Sequence, residues 1–277
     1  MSARPRQLCA TFNDRWVDIQ CDSEALENAL RQRLRHLLTC SKPSTESLLR
    51  ITLAELAPSC VELRDSTGRM AHGSIGYVLH LTRKWMTASF ASAHPNHLWL
   101  HAAAATRNGF GVLLAGPAAA GKSTMAVRLI EHGWHLLADD AVALRTEDWT
   151  ALPLPFTPDF RTAPHGVGDD RQALLEQTKV VATVRDGQVA RAPASIEAIV
   201  FPVYDSARGD SPFLRRLPVV TAVQALAEQC SSQGPDRSEA LRHVVRLVRH
   251  IPCHRLLYAD AGSAAGELTH RSASHFR

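Results

Sequence analysis

Residues Gly116-Pro117-Ala118-Ala119-Ala120-Gly121-Lys122-Ser123-Thr124 match the pattern G-x-x-x-x-G-K-[ST] at every fixed position. That spacing suits one task, the holding of a phosphate chain. Glycines at 116 and 121 let the backbone turn back, so that successive N–H groups converge on an anion. The Lys122 ammonium adds a point charge for the outer phosphates, and the Ser123 hydroxyl offers an oxygen to Mg2+. A helix opening here aims the positive end of its dipole at the same anion. Two carboxylates follow, Asp139-Asp140. One can hold Mg2+, directly or through water, and the other can take a proton from an attacking hydroxyl. The alternative is that either one caps the turn after it. His101 precedes the motif. It can hydrogen-bond Asp139 and set its orientation or basicity, or it can be an ordinary packed histidine.

These residues need elements to position them. Phe110 to Ala115 is an apolar run of strand length ahead of the loop, and Met125, Ala126, Leu129 and Ile130 fall at helical spacing after it. Gly133 supplies a helix stop. Leu98-Trp99-Leu100-His101 reads as a strand continuing into Ala102 to Ala105, and Arg107-Asn108-Gly109 is a turn signal. A hairpin therefore feeds the loop and brings His101 toward it. Trp134 to Ala138 reads as a further strand ending at Asp139-Asp140. Such a strand is expected to pair beside the strand of the loop.

Residues 1–95 read as a small mixed α+β region. Arg15 to Ile19 alternates like a strand; Asp22 or Ser23 can cap a helix whose apolar face is Leu26, Leu30, Leu34 and Leu37. Leu48 to Leu56 and Val61 to Leu63 read as strands, and Ile75 to Ala91 is ambiguous between strand and helix. Residues 96–263 form the expected catalytic domain, and 264–277 a polar tail. Within the domain, 151–170 is rich in Pro and Gly and reads as a long loop. Arg161 and Arg171 flank it and are candidate cations for transition-state charge. Ile196 to Val203 reads as a strand, and Thr221 to Glu228 and Glu239 to Ile251 as helices. Arg242, Arg246 and Arg249 lie opposite the apolar stripe of the second helix and either meet an acidic partner or face water.

The chain has 277 residues, 45% hydrophobic, with a formal net charge of +4. That charge permits an anionic ligand, and without a basic, aromatic-studded stretch it argues against a nucleic-acid-dependent NTPase. No segment approaches the roughly 18 uninterrupted apolar residues of a membrane span. No apolar h-region follows the N-terminus, so a cytoplasmic protein is expected. The six cysteines are scattered, with no C-x-x-C pair, which reads as buried apolar thiols rather than a zinc or redox site.

His101, the hairpin, Gly116 to Ser123 and Ala138-Asp139-Asp140 together resemble the catalytic domain of HPr serine kinase/phosphorylases. They look closer still to the HPr-kinase-related proteins that accompany modified-peptide biosynthesis. Leu98 to Leu144 carries the resemblance, and Ser195 to Pro202 resembles a later strand of these relatives. The resemblance implies an α/β fold with a P-loop kinase core, distinct from the GTPase type and related to phosphoenolpyruvate carboxykinase. It implies ATP and Mg2+ as cofactors and a serine hydroxyl of a peptide or protein as acceptor, as on the precursor peptides of lasso-peptide pathways. It implies Asp139 as general base, His101 as its hydrogen-bonding neighbour, Lys122 on the outer phosphates, and Ser123 and Asp140 on the metal. HPr kinases assemble as oligomers, so a homo-oligomer is a further implication. The E-x-R-G-x-G-like signature of the HPr enzymes has no equivalent here; Pro193-Ala194-Ser195-Ile196 occupies that region. A small-molecule kinase and a nucleotide-binding regulator without transfer activity remain the alternatives.

Overall fold

The computed structural model describes residues 5–161, 179–208, 211–230 and 236–271. The fold is mixed α/β and divides into two compact units. One holds residues 1–93 and 159–182, the other 94–158 and 183–277. The expected 96–263 span is thus interrupted. Asp159 groups with the N-terminal region, where its carboxylate meets Arg83 Nη1 at 3.4 Å.

The first unit carries β1 (Arg6–Phe12), β2 (Arg15–Cys21), α1 (Glu24–Leu34), β3 (Leu38–Thr39), β4 (Leu49–Ala57), β5 (Cys60–Asp65), β6 (Met70–Gly73) and α2 (Ile75–Ala93). Its six strands form one sheet in the order β3-β1-β2-β4-β5-β6. The Ser23 hydroxyl caps α1 by accepting from Leu26 N–H at 3.2 Å, and Leu26, Leu30 and Leu34 face inward. The ambiguous stretch from Ile75 is a single 19-residue helix. Its buried Val78, Leu79, Thr82, Met86 and Phe90 recur at three-to-four spacing, and that face outweighs the strand preference of its aromatic and β-branched residues.

The second unit carries β7 (His97–Leu100), β8 (Ala102–Arg107), β9 (Phe110–Ala115), α3 (Lys122–Glu131), β10 (His135–Ala138), β11 (Val142–Arg145) and β12 (Thr150–Ala151). In chain order, the short pair β13 (Asp159–Arg161) and β14 (Lys179–Val181) follows and belongs to the first unit. The second unit then resumes with β15 (Ala194–Tyr204), β16 (Phe213–Arg216), α4 (Val219–Ala227), α5 (Arg237–His250), β17 (Cys253–Tyr258) and α6 (Ala261–His270).

The β8–β9 hairpin forms with Asn108 and Gly109 both at positive φ, 51° and 78°. That is the backbone a tight two-residue turn demands. The apolar run 98–105 is not one strand. It breaks at His101, with β7 pairing to β11 and β8 to β9 and β10. β10 does not pair with β9 as expected; β8 lies between them, antiparallel to both. Two antiparallel steps restore the direction, so β9 and β10 still end at the same edge of the sheet. On the other side of β9, β15 runs parallel to it and β17 runs parallel to β15. The strands beneath α3 are narrow: Ala102 to Ala105 are fully buried, and α3 packs on β8, β9, β10 and α6. The expected polar tail is also corrected. Residues 261–270 form α6, capped by Asp260 through Ser263 N–H at 2.7 Å, with Ala264, Ala265 and Leu268 buried.

Candidate functional site

Register places the candidate residues together. Ala102 pairs with Ala115 and Ala104 with Ala138. The start of β8 and the ends of β9 and β10 therefore share one edge, and His101, Gly116 and Asp139 are the next residues out. The loop from 116 leaves β9 through backbone conformations that side chains resist. Gly116 has φ 144°, Gly121 has φ 86°, and Ala119 adopts φ 66° despite its methyl group. A non-glycine residue held at positive φ stores strain of about 1–3 kcal/mol, a feature that concentrates at ligand clamps. Pro117 to Ala119 are exposed, while Lys122 is 7% exposed.

Lys122 Nζ donates to the carbonyls of Gly116 at 2.8 Å and Pro117 at 3.0 Å. The ammonium is thus held over the loop by neutral acceptors, which a phosphate oxygen can outcompete. Burial pulls the Lys122 pKa down from its ordinary range, against the opposing pull of Asp139 and Asp140. Asp139 is 2% exposed, and the Ser123 hydroxyl lies 3.0 Å and 3.1 Å from its two carboxylate oxygens. Thr124 is exposed at the first turn of α3.

His101 was expected beside Asp139; the hydrogen bond of its ring goes to Asp140. Nδ1 lies 2.8 Å from the Asp140 backbone oxygen and 3.4 Å from its carboxylate. A carbonyl only accepts, so Nδ1 carries the proton. The chain is bent for this contact: Asp140 has φ 70°, and His101 N–H donates to the Gln229 carbonyl at 2.7 Å. The two aspartates thus face different ways, Asp139 toward Ser123 on α3 and Asp140 toward His101 before β8.

The oxygen donors suit Mg2+. An octahedral ion with bonds of about 2.0–2.1 Å has neighbouring ligands about 2.9 Å apart. Ser123 Oγ and Asp139 stand at that separation, and a hard ion takes such oxygens together with phosphate oxygens and water. Among the described residues no group of three or more His, Cys, Asp or Glu side chains is arranged to hold a metal.

Other candidates fall elsewhere. Arg161 lies on β13 in the first unit, and Arg171 is outside the described residues. On α5, Arg242, Arg246 and Arg249 are exposed, and the Arg246 guanidinium lies 5.6 Å from the Trp149 ring centre. One neighbour of the loop was invisible in the sequence. A Cβ built on Gly121 would lie 2.5 Å from the Tyr258 hydroxyl, which arrives from the end of β17. No motif or local spacing links the two positions.

The family model described as SynChlorMet cassette protein ScmC matches residues 76–178, less than half of the chain. That span holds the loop, His101 and both aspartates. Among solved structures, the chain is similar to the HPr(Ser) kinase/phosphatase from Coxiella burnetii, with 15% identity over 58% of this chain and 79% of that one. The TM-score of that pair is 0.29, too low to carry a shared fold. No curated protein matches the sequence. Among the described residues, no helix is long and apolar enough to cross a membrane.

Proposed function

We propose that the chain is an ATP- and Mg2+-dependent P-loop kinase that transfers the γ-phosphate to a serine hydroxyl of a peptide or protein, a ribosomal precursor peptide in particular. The observation that carries this reading is the buried Asp139 carboxylate, 3.0 Å from the Ser123 hydroxyl at the first turn of the helix that opens from the glycine loop. A carboxylate at that place can serve a bound metal ion or take a proton, and the kinase reading is the one in which both uses are needed. The loop N–H groups and Lys122 bind the phosphate chain and hold it against the edge of the sheet. Ser123 and Asp140 would hold Mg2+, which when bound supplies charge stabilisation to the transferring phosphoryl group. The proton of the acceptor hydroxyl passes to a carboxylate oxygen of Asp139, and its oxygen attacks the γ-phosphorus in line with the departing ADP oxygen. His101 fixes the backbone of Asp140, and through it the position of Asp139. Catalysis is then mainly positioning and charge stabilisation.

Mass spectrometry of a reaction with ATP, Mg2+ and the peptides encoded beside this gene tests the proposal. A gain of one phosphate on a serine, absent with Asp139→Asn, is the expected result. Nucleotide binding without transfer to any peptide would move the reading to a small-molecule acceptor or a nucleotide-sensing role.

A further inference from the structure

Tyr258 closes β17, and β17 reaches β9 through two parallel pairings by way of β15. Its side chain therefore emerges at the same edge of the sheet as the loop. The residue is 4% exposed. Its ring stands edge-on to Tyr204, with centroids 6.1 Å apart and planes at 77°. Its hydroxyl lies against Gly121, the residue that begins the first turn of α3. Among the described residues that hydroxyl has no hydrogen-bond partner. The ring is buried while the hydroxyl oxygen is not sealed off, so it stays open to a partner brought to the loop. The Lys122 ammonium of the same turn is engaged with the carbonyls of Gly116 and Pro117. What is missing is an acceptor, and the loop is built to bring an anionic one.

We propose that the Tyr258 hydroxyl donates a hydrogen bond to the phosphate chain of the nucleotide seated on the 116–124 loop. This rests on the nucleotide-binding reading above and adds a contact from the far end of the chain. Burial, and then the neighbouring Tyr204, push the phenol pKa up, which keeps the donor protonated at neutral pH. The contact also gives position 121 a second reason to be glycine. Its φ of 86° already disfavours a side chain, and any Cβ would displace the hydroxyl from the loop.

Tyr258→Phe removes the hydroxyl and keeps the ring. Calorimetric titration of parent and variant with Mg2+-ADP, inorganic tripolyphosphate and adenosine separates the possibilities. The expected result is an affinity about tenfold weaker for ADP and for tripolyphosphate, or 1.4 kcal/mol, with adenosine binding and the unliganded Tm unchanged. Unchanged affinity for ADP overturns the proposal. So does an equal loss for adenosine, which would make the tyrosine a packing or nucleoside contact. A parent that binds none of the three overturns the nucleotide reading itself, a different result from a parent that binds and a variant that binds equally. A second measurement needs no Tyr258 variant. The chain has only three tyrosines, so the Cζ carbon signal of Tyr258 can be assigned with Tyr77→Phe and Tyr204→Phe. It should shift on adding tripolyphosphate and not on adding adenosine; no shift with tripolyphosphate overturns the contact.

Discussion

Among the described residues, two aspartates are almost wholly buried, one in each unit, and their surroundings differ in kind. Asp18, 1% exposed, lies on β2 and accepts from Gln7 Nε2 at 2.7 Å, Gln20 Nε2 at 3.2 Å and Arg50 Nε at 3.0 Å. Those donors sit on β1, β2 and β4, three adjacent strands of one sheet. A half-exposed guanidinium pairs with the charge and two amides hydrogen-bond it. Asp139, 2% exposed, sits just past the end of a strand and faces a hydroxyl on a helix that starts from a glycine loop. A hydroxyl can turn and share its oxygen with a metal ion, where a guanidinium cannot. A buried carboxylate enclosed by fixed cationic and amide donors is a structural tie. One that faces an exchangeable hydroxyl, with the Lys122 ammonium near it, suits the proposed transfer.

The sharpest way to break this contrast is to neutralise both. Asp139→Asn should lower the rate of phosphoryl transfer about a thousandfold, the scale of a lost general base, with nucleotide affinity within a few-fold of the parent. Single-turnover rates beside binding titrations would show it. Transfer at the parental rate would place Asp139 with Asp18 as a structural group. The converse variant, Asp18→Asn, should leave transfer intact and cost about 2 kcal/mol of stability in urea unfolding, because charge-assisted bonds to a buried acceptor are lost. Loss of activity without loss of stability in that variant would reverse the assignment.

A third buried group sharpens the picture by its pH dependence. His254, 6% exposed, is held down to about 4 by burial and by the nearby Arg216 and Arg271. A histidine whose folded pKa is depressed stays neutral in the native state while the unfolded chain takes up a proton. Stability is therefore intact above pH 6.5 and falls as the pH drops from 6.5 toward 4. Between pH 7 and pH 5 the loss should be about 2 kcal/mol, read as a falling urea midpoint and flattened by His254→Gln. The smallest expected effect lies in the loop. Ala119 at φ 66° is strained, and Ala119→Gly should relieve that strain against the greater freedom of glycine when unfolded, for a net gain of about 0.5 kcal/mol. A loss of stability there would mean that the methyl group packs usefully.

The sequence by itself determined the local pieces. The Gly116–Thr124 loop, the Asn108-Gly109 hairpin, the Ser23 cap and the apolar face of α1 all follow from neighbours within a few residues. Backbone sterics and short-range hydrogen bonds decide such features before any tertiary contact forms. Lys122 and Ser123 were legible as candidates for the same reason, since the motif contains them, while Asp139 and Asp140 were candidates by their place after a strand and His101 chiefly by the resemblance. Tertiary structure decided who meets whom. Strand periodicity names no partner, so the insertion of β8 between β9 and β10 was hidden, and with it the pairing of His101 to Asp140 and Ser123 to Asp139. The return of Asp159 to the first unit was hidden too. The helix at 261–270 has two glycines and a serine of lower helix propensity, and packing on α3 outweighs them. Tyr258 reaches Gly121 only because two parallel strand pairings bring distant chain ends to one edge of one sheet.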